Sequence, residues 1–320
     1  MFFRRRHTGS RVQEARSRPA AGTDSSGGFA SGFVTAQDGL TLHVRRYGSR
    51  RASAHSVVCL PGLGRTAADF HPLATALAAD PAKPRYVLAS DYRGHGQSKY
   101  DRDPANYTPR VALADLSAVV TALEAAPAIL VGTSFGGVLA MMLAVLRPTA
   151  IAGVILNDIG PVIEPPGLLR IKSYVGKLPT LRTFDEGAEI LRWQFEAQFT
   201  KLAPQDWIAF AQRTWREHRG RLVPDHDPRI ARALQEVSLE QRLPTLWEQF
   251  DALAHVPLMV IRGHNSDMLA PTTVNAMLSR RGQLEVVVVP DQGHAPLLAE
   301  PKVISRIAAF AVSCDISARP

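Results

Sequence analysis

The segment ILVGTSFGGVLA, residues 129–140, contains a serine whose neighbours suit a nucleophile. Gly132 and Gly136 stand two residues to either side of Ser134, between an apolar run typical of a strand and one typical of a helix. On such a sharp turn the serine Oγ is pushed out above the sheet, and a Cβ at either glycine would collide with a neighbouring strand or helix. The pattern therefore predicts Ser134 as a nucleophile.

A serine nucleophile needs a base, and the base needs an acid that orients it. Of the ten histidines, His294 stands just past the last predicted strand, at the sheet edge where this architecture keeps its sites. His95 comes too early in the chain for the order serine, acid, histidine. Asp267, just after the preceding predicted strand, is predicted as the acid, and Asp158, after an earlier strand, is the alternative.

A second glycine motif, LPGLGRTAADF at residues 60–70, follows another apolar run and allows two interpretations. Gly62, Gly64 and Ala67 match the dinucleotide pattern G-x-G-x-x-G/A, with Asp91 as a ribose-binding acid. Alternatively, a backbone N–H of this loop stabilises a developing oxyanion. The dinucleotide pattern usually follows the first strand, whereas this loop follows the third predicted strand. NAD binding would also leave the serine, acid and histidine unexplained, so the oxyanion interpretation is favoured.

The elements that would position these residues alternate in type along the chain. From about residue 33, short β-rich runs alternate with helical ones, which is typical of a mostly parallel sheet covered on both faces. Eight strands are predicted, the first two an antiparallel hairpin. About 100 residues separate Asn157 from Pro257, whereas a parallel crossover needs about a dozen or more. We therefore predict four segments: a disordered basic tail over 1–28, a core over 29–160, a helical cap over 161–254, and the rest of the core over 255–320.

Composition excludes several classes of protein. The net charge is +8, but six arginines against two acids within residues 1–28 supply +4 of it, so the folded part is not predicted to bind nucleic acid. No run of about 18 apolar residues exists, so no transmembrane segment is predicted. Cys59 and Cys314 share no metal-type spacing with any histidine and are interpreted as reduced packing residues. A cytoplasmic location is predicted, and a homo-oligomer is left open.

The chain resembles the α/β-hydrolase family with a helical cap over about residues 33–315. The resemblance rests on LPGLGRTAADF, DYRGHGQS, GTSFGG, RGHNSDML and DQGHAPLL. It implies that Ser134 is the nucleophile, that Asp267 and His294 complete the triad, and that the backbone N–H groups of Leu63 and Phe135 form the oxyanion hole. No cofactor and no metal is implied.

Two further details follow from the resemblance. Many members have His-Gly where this chain has Pro61-Gly62, and the oxyanion hole is not affected because its donor is a backbone N–H. Asp91 and Arg93 resemble a structural pair that braces the loop under the site.

The predicted reaction is cleavage of a small carboxylic ester or lactone with an apolar group, through an acyl-enzyme. Dehalogenases and epoxide hydrolases of the family use an aspartate where Ser134 stands, and both are excluded. Carbon-carbon bond hydrolases often carry a tryptophan after the catalytic histidine, where this chain has Ala295. That class stays as an alternative, together with cofactor-free perhydrolases and a non-catalytic ligand receptor of the same fold.

All four tryptophans fall in the predicted cap. A cap rich in large aromatic side chains over a serine predicts an apolar cleft. Trp193 and Trp247 are predicted as substrate-binding residues that face this cleft. The alternative is that they pack in the core of the cap.

Overall fold

The computed structural model describes residues 28–51, 53–235, 237 and 243–317, so the predicted tail lies outside the described residues except for Gly28. The strands are β1 (Ala30–Thr35), β2 (Thr41–Tyr47), β3 (Ser56–Leu60), β4 (Val87–Ser90), β5 (Ala128–Thr133), β6 (Ile151–Asn157), β7 (Trp215–His218), β8 (Arg221–Pro224), β9 (Leu258–Gly263) and β10 (Leu284–Val289). Eight of them form one sheet in the order β1-β2-β4-β3-β5-β6-β9-β10. The pairs β1–β2 and β2–β4 are antiparallel, and the other neighbours are parallel. The predicted sheet is confirmed.

The central strands are continuous apolar runs because helices cover both faces of the sheet. The helices are α1 (His71–Ala78), α2 (Pro109–Ala122), α3 (Phe135–Leu146), α4 (Pro165–Tyr174), α5 (Phe184–Phe195), α6 (Pro204–Gln212), α7 (Ala231–Gln235), α8 (Trp247–Asp251), α9 (Pro271–Arg280) and α10 (Pro301–Ser317). Side chains of α2, α3 and α9 join the core on one face, and those of α1 and α10 join the core on the other. Within the described ranges, none of these helices combines the length and the apolar character that a membrane span requires.

The segment between β6 and β9, which we call the cap (residues 161–254), has a small apolar core of its own. It contains α4 to α8 and the hairpin β7–β8. Its core packs aromatic rings against each other, with Phe195 stacked on Phe210 and Trp207 stacked on Phe210 at centroid distances of 6.0 and 6.3 Å. A thin layer of this kind buries enough apolar surface only through large side chains, which explains the aromatic content of the segment.

The hairpin β7–β8 is absent from the sequence-based prediction, which treated the whole cap as helical. Its two strands are joined by Arg219 and Gly220, with φ values of 51° and 70°. Positive φ at both central residues is the requirement of a two-residue type I′ turn, for which glycine is well suited. Gly220 was the available signal, but the flanking strands have only four residues each and lack a clear alternation.

Candidate active site

Ser134 lies on the tight turn between β5 and α3, as predicted. Its φ is 50°, a left-handed value that is rare outside glycine, and it directly precedes the first residue of the helix. A Cβ on Gly132 would come within 2.5 Å of the Gly136 carbonyl oxygen, and a Cβ on Gly136 would collide with the Leu60 carbonyl oxygen of β3. Both glycines are therefore required for the close packing of strand, turn and helix that exposes the serine.

His294 joins the serine to a buried carboxylate. It follows β10, is 8% exposed, and places Nε2 2.9 Å from Ser134 Oγ. Its Nδ1 lies 2.8 Å from Oδ2 of Asp158, a fully buried residue directly after β6. A protonated Nδ1 that donates to the carboxylate leaves Nε2 free to accept the serine proton. The three side chains thus have the geometry of a nucleophile, a base and an orienting acid.

The carboxylate of Asp158 is held by two elements besides the histidine. Oδ1 accepts the N–H of Gly263 at 2.8 Å, and Oδ2 accepts the hydroxyl of Ser266 at 2.6 Å. The Asp158 N–H donates to the carbonyl of Ile261 at 2.7 Å. Because these bonds tie the residue to the carboxyl end of β9 and the loop after it, the carboxylate is rigidly oriented toward His294.

The prediction that Asp267 is the acid is wrong, because its side chain pairs with Arg170 and the hydrogen-bond partner of His294 is Asp158. Asp267 follows β9 as expected, but its two oxygens accept hydrogen bonds from the guanidinium of Arg170 on α4, at 2.7 and 2.8 Å. Burial raises the pKa of this carboxyl, but the hydrogen bonds and the charge of Arg170 outweigh it, so the pKa lies below its usual value. The bidentate ion pair engages the side chain with the cap, and the alternative acid, Asp158, stands beside His294 instead.

The glycine loop after β3 is a tight turn beside the serine. The N–H of Arg65 donates to the Gly62 carbonyl at 3.1 Å, and Gly64 at the third position has a φ of 74°. Ser134 Cβ lies 3.7 Å from the point where a Cβ on Gly62 would stand, so the loop and the nucleophile are in close contact. Leu63 and Phe135, predicted as oxyanion donors, lie on this turn and at the first position of α3, where helix N–H groups have no intrahelical acceptor.

His95 supports this turn rather than acting as a base. Its Nε2 accepts the N–H of Gly64 at 3.1 Å, and its Nδ1 donates to the Arg93 carbonyl at 2.9 Å. The predicted pair of Asp91 and Arg93 is not formed. Asp91 instead binds His43 and accepts the N–H of Ala67 at 2.7 Å, while Arg93 binds three other carboxylates, those of Asp38, Asp101 and Asp115. Asp91 therefore braces the far end of the loop without the arginine.

Comparison with known proteins identifies the family. The pattern of the family described as "Alpha/beta hydrolase family" matches residues 57–307. The chain belongs to the α/β-hydrolase family. It is 30% identical over 283 residues to a 3-hydroxybutyrate-oligomer hydrolase of Cupriavidus necator, covering 86% of this chain and 94% of that protein.

Two further relatives are an esterase and an α/β hydrolase of known structure. An esterase of Mycobacterium tuberculosis is 33% identical over 274 residues, which cover 80% of this chain and 82% of that protein. The crystal structure of an α/β hydrolase from Novosphingobium aromaticivorans is 37% identical, superposes with a TM-score of 0.83, and covers 89% of this chain and 98% of that one. This chain is therefore an α/β-hydrolase enzyme with esterase and other hydrolase relatives.

The cleft of this α/β hydrolase lies between the cap and the carboxyl edge of the sheet. Ser134 and His294 lie in its wall. Most of its other lining is apolar, and the cap contributes Ile171, Tyr174, Val175, Leu178, Leu191, Phe195, Phe199 and Phe210 to it. The predicted apolar, cap-covered cleft is thus present, although different residues form it.

Neither tryptophan predicted for the cleft lies in it. Trp193 is 85% exposed on the outer face of α5. Trp247 packs against Phe250, with ring centroids 5.7 Å apart, and Arg280 lies over its ring. The inward face of α5 instead carries Leu191 and Phe195, four residues apart, a spacing that places both on one side of a helix and could have identified them from sequence.

Several polar side chains interrupt the apolar lining, among them Arg65, Asp69, Arg213 and His226. Arg65 is bound to Asp69 through two hydrogen bonds of 2.7 and 2.6 Å. Burial, and then the charges of His95 and Arg65, lower the pKa of His226 to about 3, so its imidazole is neutral at ordinary pH. Within the ranges that the structure describes, no cluster of three histidine, cysteine or acidic side chains is suited to bind a metal ion.

Proposed function

We propose that this α/β hydrolase cleaves carboxylic esters or lactones that carry an apolar group, through an acyl-enzyme on Ser134. The observation that carries the proposal is the unbroken chain of contacts from Ser134 Oγ through His294 to Asp158, at 2.9 and 2.8 Å, in the wall of a largely apolar cleft. Three ester-cleaving elements thus coincide: an activated hydroxyl, a base with a fixed tautomer, and a cleft that accommodates an apolar group.

In the first half of the reaction, Ser134 Oγ attacks the ester carbonyl while His294 Nε2 takes its proton. Asp158 stabilises the imidazolium through Nδ1–H and keeps the ring in place. The N–H groups of Leu63 and Phe135 donate to the oxygen that becomes negative, because both lie beside the serine on fixed backbone. His294 then returns the proton to the departing alcohol, which leaves an ester between Ser134 and the acyl group.

In the second half, water replaces the alcohol. His294 Nε2 removes a proton from the water, whose oxygen attacks the acyl carbonyl, and the proton passes to Ser134 Oγ as the acid is released. The cap, residues 161–254, and the core, residues 29–160 and 255–320, form the two walls of the cleft in this scheme. The cap wall holds the acyl chain out of water, which favours esters with apolar groups.

A fluorophosphonate probe tests the proposal together with turnover of p-nitrophenyl butyrate. The probe should label Ser134 and abolish turnover. The Ser134→Ala protein should show neither labelling nor turnover. Labelling at another residue with turnover intact would contradict the assignment of the nucleophile. Labelling of Ser134 without hydrolysis of any ester would support a ligand receptor of the same fold instead.

A further inference from the structure

The cleft wall contains two guanidinium groups around one carboxylate, with Arg65 and Asp69 from the core and Arg213 from the cap. Arg65 binds both oxygens of Asp69, and Arg213 places its Nε 3.5 Å from Oδ1 of the same residue. The guanidinium carbons of Arg65 and Arg213 lie 4.7 and 5.9 Å from the centre of the Phe210 ring. All three charged side chains are largely buried, with 19%, 27% and 21% of Arg65, Asp69 and Arg213 exposed.

This cluster, Arg65–Asp69–Arg213, has one positive charge in excess. The two good hydrogen bonds of Asp69 go to Arg65, which also donates to the Thr214 hydroxyl at 2.6 Å. The guanidinium of Arg213 reaches Asp69 only through the longer contact of 3.5 Å, and burial lowers its pKa. Holding a cation in a largely buried position without a full partner is unfavourable, so a bound anion would stabilise it.

Neither of two neighbouring carboxylates, Asp206 and Asp225, forms an ion pair with Arg213 among the described residues. Asp206 accepts the N–H of Ala203 at 2.9 Å at the start of α6. Asp225 is 3.2 Å from Nε of Arg216, on the cap hairpin. Neither carboxylate therefore provides the missing partner of Arg213.

His226 adds an unpaired polar group to the same wall. The pairing of β7 and β8 continues beyond the strands, because the Asp225 N–H donates to the Thr214 carbonyl at 2.9 Å. Arg213, just before β7, and His226, just after β8, therefore lie at the same end of the hairpin. His226 is 3% exposed, and neither ring nitrogen has a hydrogen-bond partner among the described residues. Its ring lies beside the glycine loop, with Cε1 3.7 Å from the point where a Cβ on Gly64 would stand.

We propose that the substrate carries a carboxylate away from the scissile ester, that Arg213 binds this carboxylate, and that the N–H of His226 donates to the same end of the substrate. The inference rests on the proposed esterase function and narrows its substrates to half-esters of dicarboxylic acids and to esters of hydroxy acids. A single negative charge matches the single excess positive charge of the cluster, and a guanidinium binds a carboxylate through two parallel hydrogen bonds. The apolar lining holds the carbon chain between the two polar ends.

Two matched pairs of esters test the carboxylate on either side of the scissile bond. The acyl-side pair is mono-p-nitrophenyl adipate and p-nitrophenyl methyl adipate, and the alcohol-side pair is 3-butyryloxybutyrate and its methyl ester. In at least one pair, kcat/KM for the carboxylate should exceed that for the methyl ester by about tenfold or more, because a charge-assisted hydrogen bond in a partly dry site is strong. Carboxylates that react no faster than the methyl esters in both pairs would overturn the inference.

Substitutions of Arg213 test whether this side chain causes the preference for the carboxylate over the methyl ester. Arg213→Gln should lower the ratio of anionic to neutral kcat/KM by about 10- to 100-fold, and Arg213→Lys should lower it less, because it keeps the charge without the fork. Arg192→Gln is the matched control: it also removes one cap arginine, whose side chain is 65% exposed and lies outside the cleft, and it should leave the ratio unchanged. An equal fall in Arg192→Gln would show a general effect of net charge and overturn the role of Arg213.

Binding without turnover separates this inference from the esterase proposal. Calorimetry of monomethyl adipate with the Ser134→Ala protein should show binding that Arg213→Gln in the same background weakens by about tenfold or more. Carboxylate binding that requires Arg213 would support the anion site even if no ester were hydrolysed. Ester hydrolysis by the wild-type protein, with carboxylate binding that Arg213→Gln leaves intact, would refute the anion site alone.

Discussion

Two Ser–His–Asp arrangements in the described part of the molecule have nearly the same distances. In the active site, the serine and aspartate lie 2.9 and 2.8 Å from the nitrogens of His294. Near the other edge of the sheet, Ser31 Oγ lies 3.0 Å from Nε2 of His43, whose Nδ1 is 2.7 Å from Oδ2 of Asp91. The contacts among the three side chains alone therefore do not distinguish a reactive site from a structural one.

The difference lies in what surrounds each serine. Ser31 is part of β1, in extended backbone, and does not line the cleft of the active site. Ser134 sits at a φ of 50° before a helix N-terminus, beside the glycine loop and in the cleft wall. His43 is fully buried, whereas His294 reaches the cleft. Access for a substrate and N–H groups beside the serine, rather than the triad distances, distinguish the first arrangement as the candidate site.

The largest expected difference between the two arrangements is in the effect of removing each serine. Ser134→Ala should lower the turnover of p-nitrophenyl butyrate by about 10⁶-fold, because the covalent path is lost and only oxyanion stabilisation remains. Ser31→Ala should leave turnover within about twofold. A loss of more than about a hundredfold in Ser31→Ala, with the fold intact by circular dichroism, would mean that the second arrangement takes part in the reaction.

The acid of the active site gives the next largest effect. Asp158→Asn keeps the shape but no longer holds the imidazole in the productive tautomer, so turnover should fall by about 10⁴-fold. Asp267→Asn, at the position chosen from sequence, should change turnover by less than about tenfold, since Asp267 pairs with Arg170. Steady-state kinetics on p-nitrophenyl butyrate would decide, and the reverse order of effects would return the role of the acid to Asp267.

The choice between the two aspartates is the part of the site that could not be predicted from the sequence. Asp158 and Asp267 each follow a strand that ends at the same edge of the sheet, so strand order cannot separate them. What separates them is long-range: Asp158 receives the Gly263 N–H from a neighbouring strand, and Asp267 meets an arginine from the cap. Contacts between residues about 100 positions apart leave no mark in a local pattern.

The sheet, the nucleophile turn and the base were predictable because each has a local signature. Short β-rich runs predicted all eight strands of the sheet, and the glycines around Ser134 predicted its turn. The cap was predicted as a helical insertion, but its hairpin was missed because the two strands have only four residues each. Trp193 was assigned to the cleft by its residue type alone, without regard to the face of the helix that it occupies. Phe195, two residues later, is the one that faces the cleft.

Loss of the buried contact between His43 and Asp91 should lower the stability of the protein more than its turnover. His43→Leu leaves Asp91, which is 2% exposed, without its imidazole partner, so the free energy of unfolding should fall by about 3 kcal/mol. His294→Ala should change it by less than about 1 kcal/mol, because water from the cleft can solvate Asp158. Urea unfolding followed by circular dichroism measures both. Turnover should show the opposite pattern, lost in His294→Ala and kept within about tenfold in the folded His43→Leu protein.

The smallest expected effect separates the inner and outer surfaces of the cap. Leu178 lines the cleft, whereas Trp193 is 85% exposed on α5. Leu178→Ala should lower kcat/KM for p-nitrophenyl hexanoate by about fivefold and for the acetate much less, because each buried methylene of the substrate contributes about 0.8 kcal/mol only where the wall contacts it. Trp193→Ala should change neither substrate by more than about 1.5-fold, as expected of an exposed residue with few contacts. If Trp193→Ala reduced hexanoate hydrolysis as much as Leu178→Ala did, the acyl chain would have to cross the outer face of α5, and the cleft would not be the path that it takes.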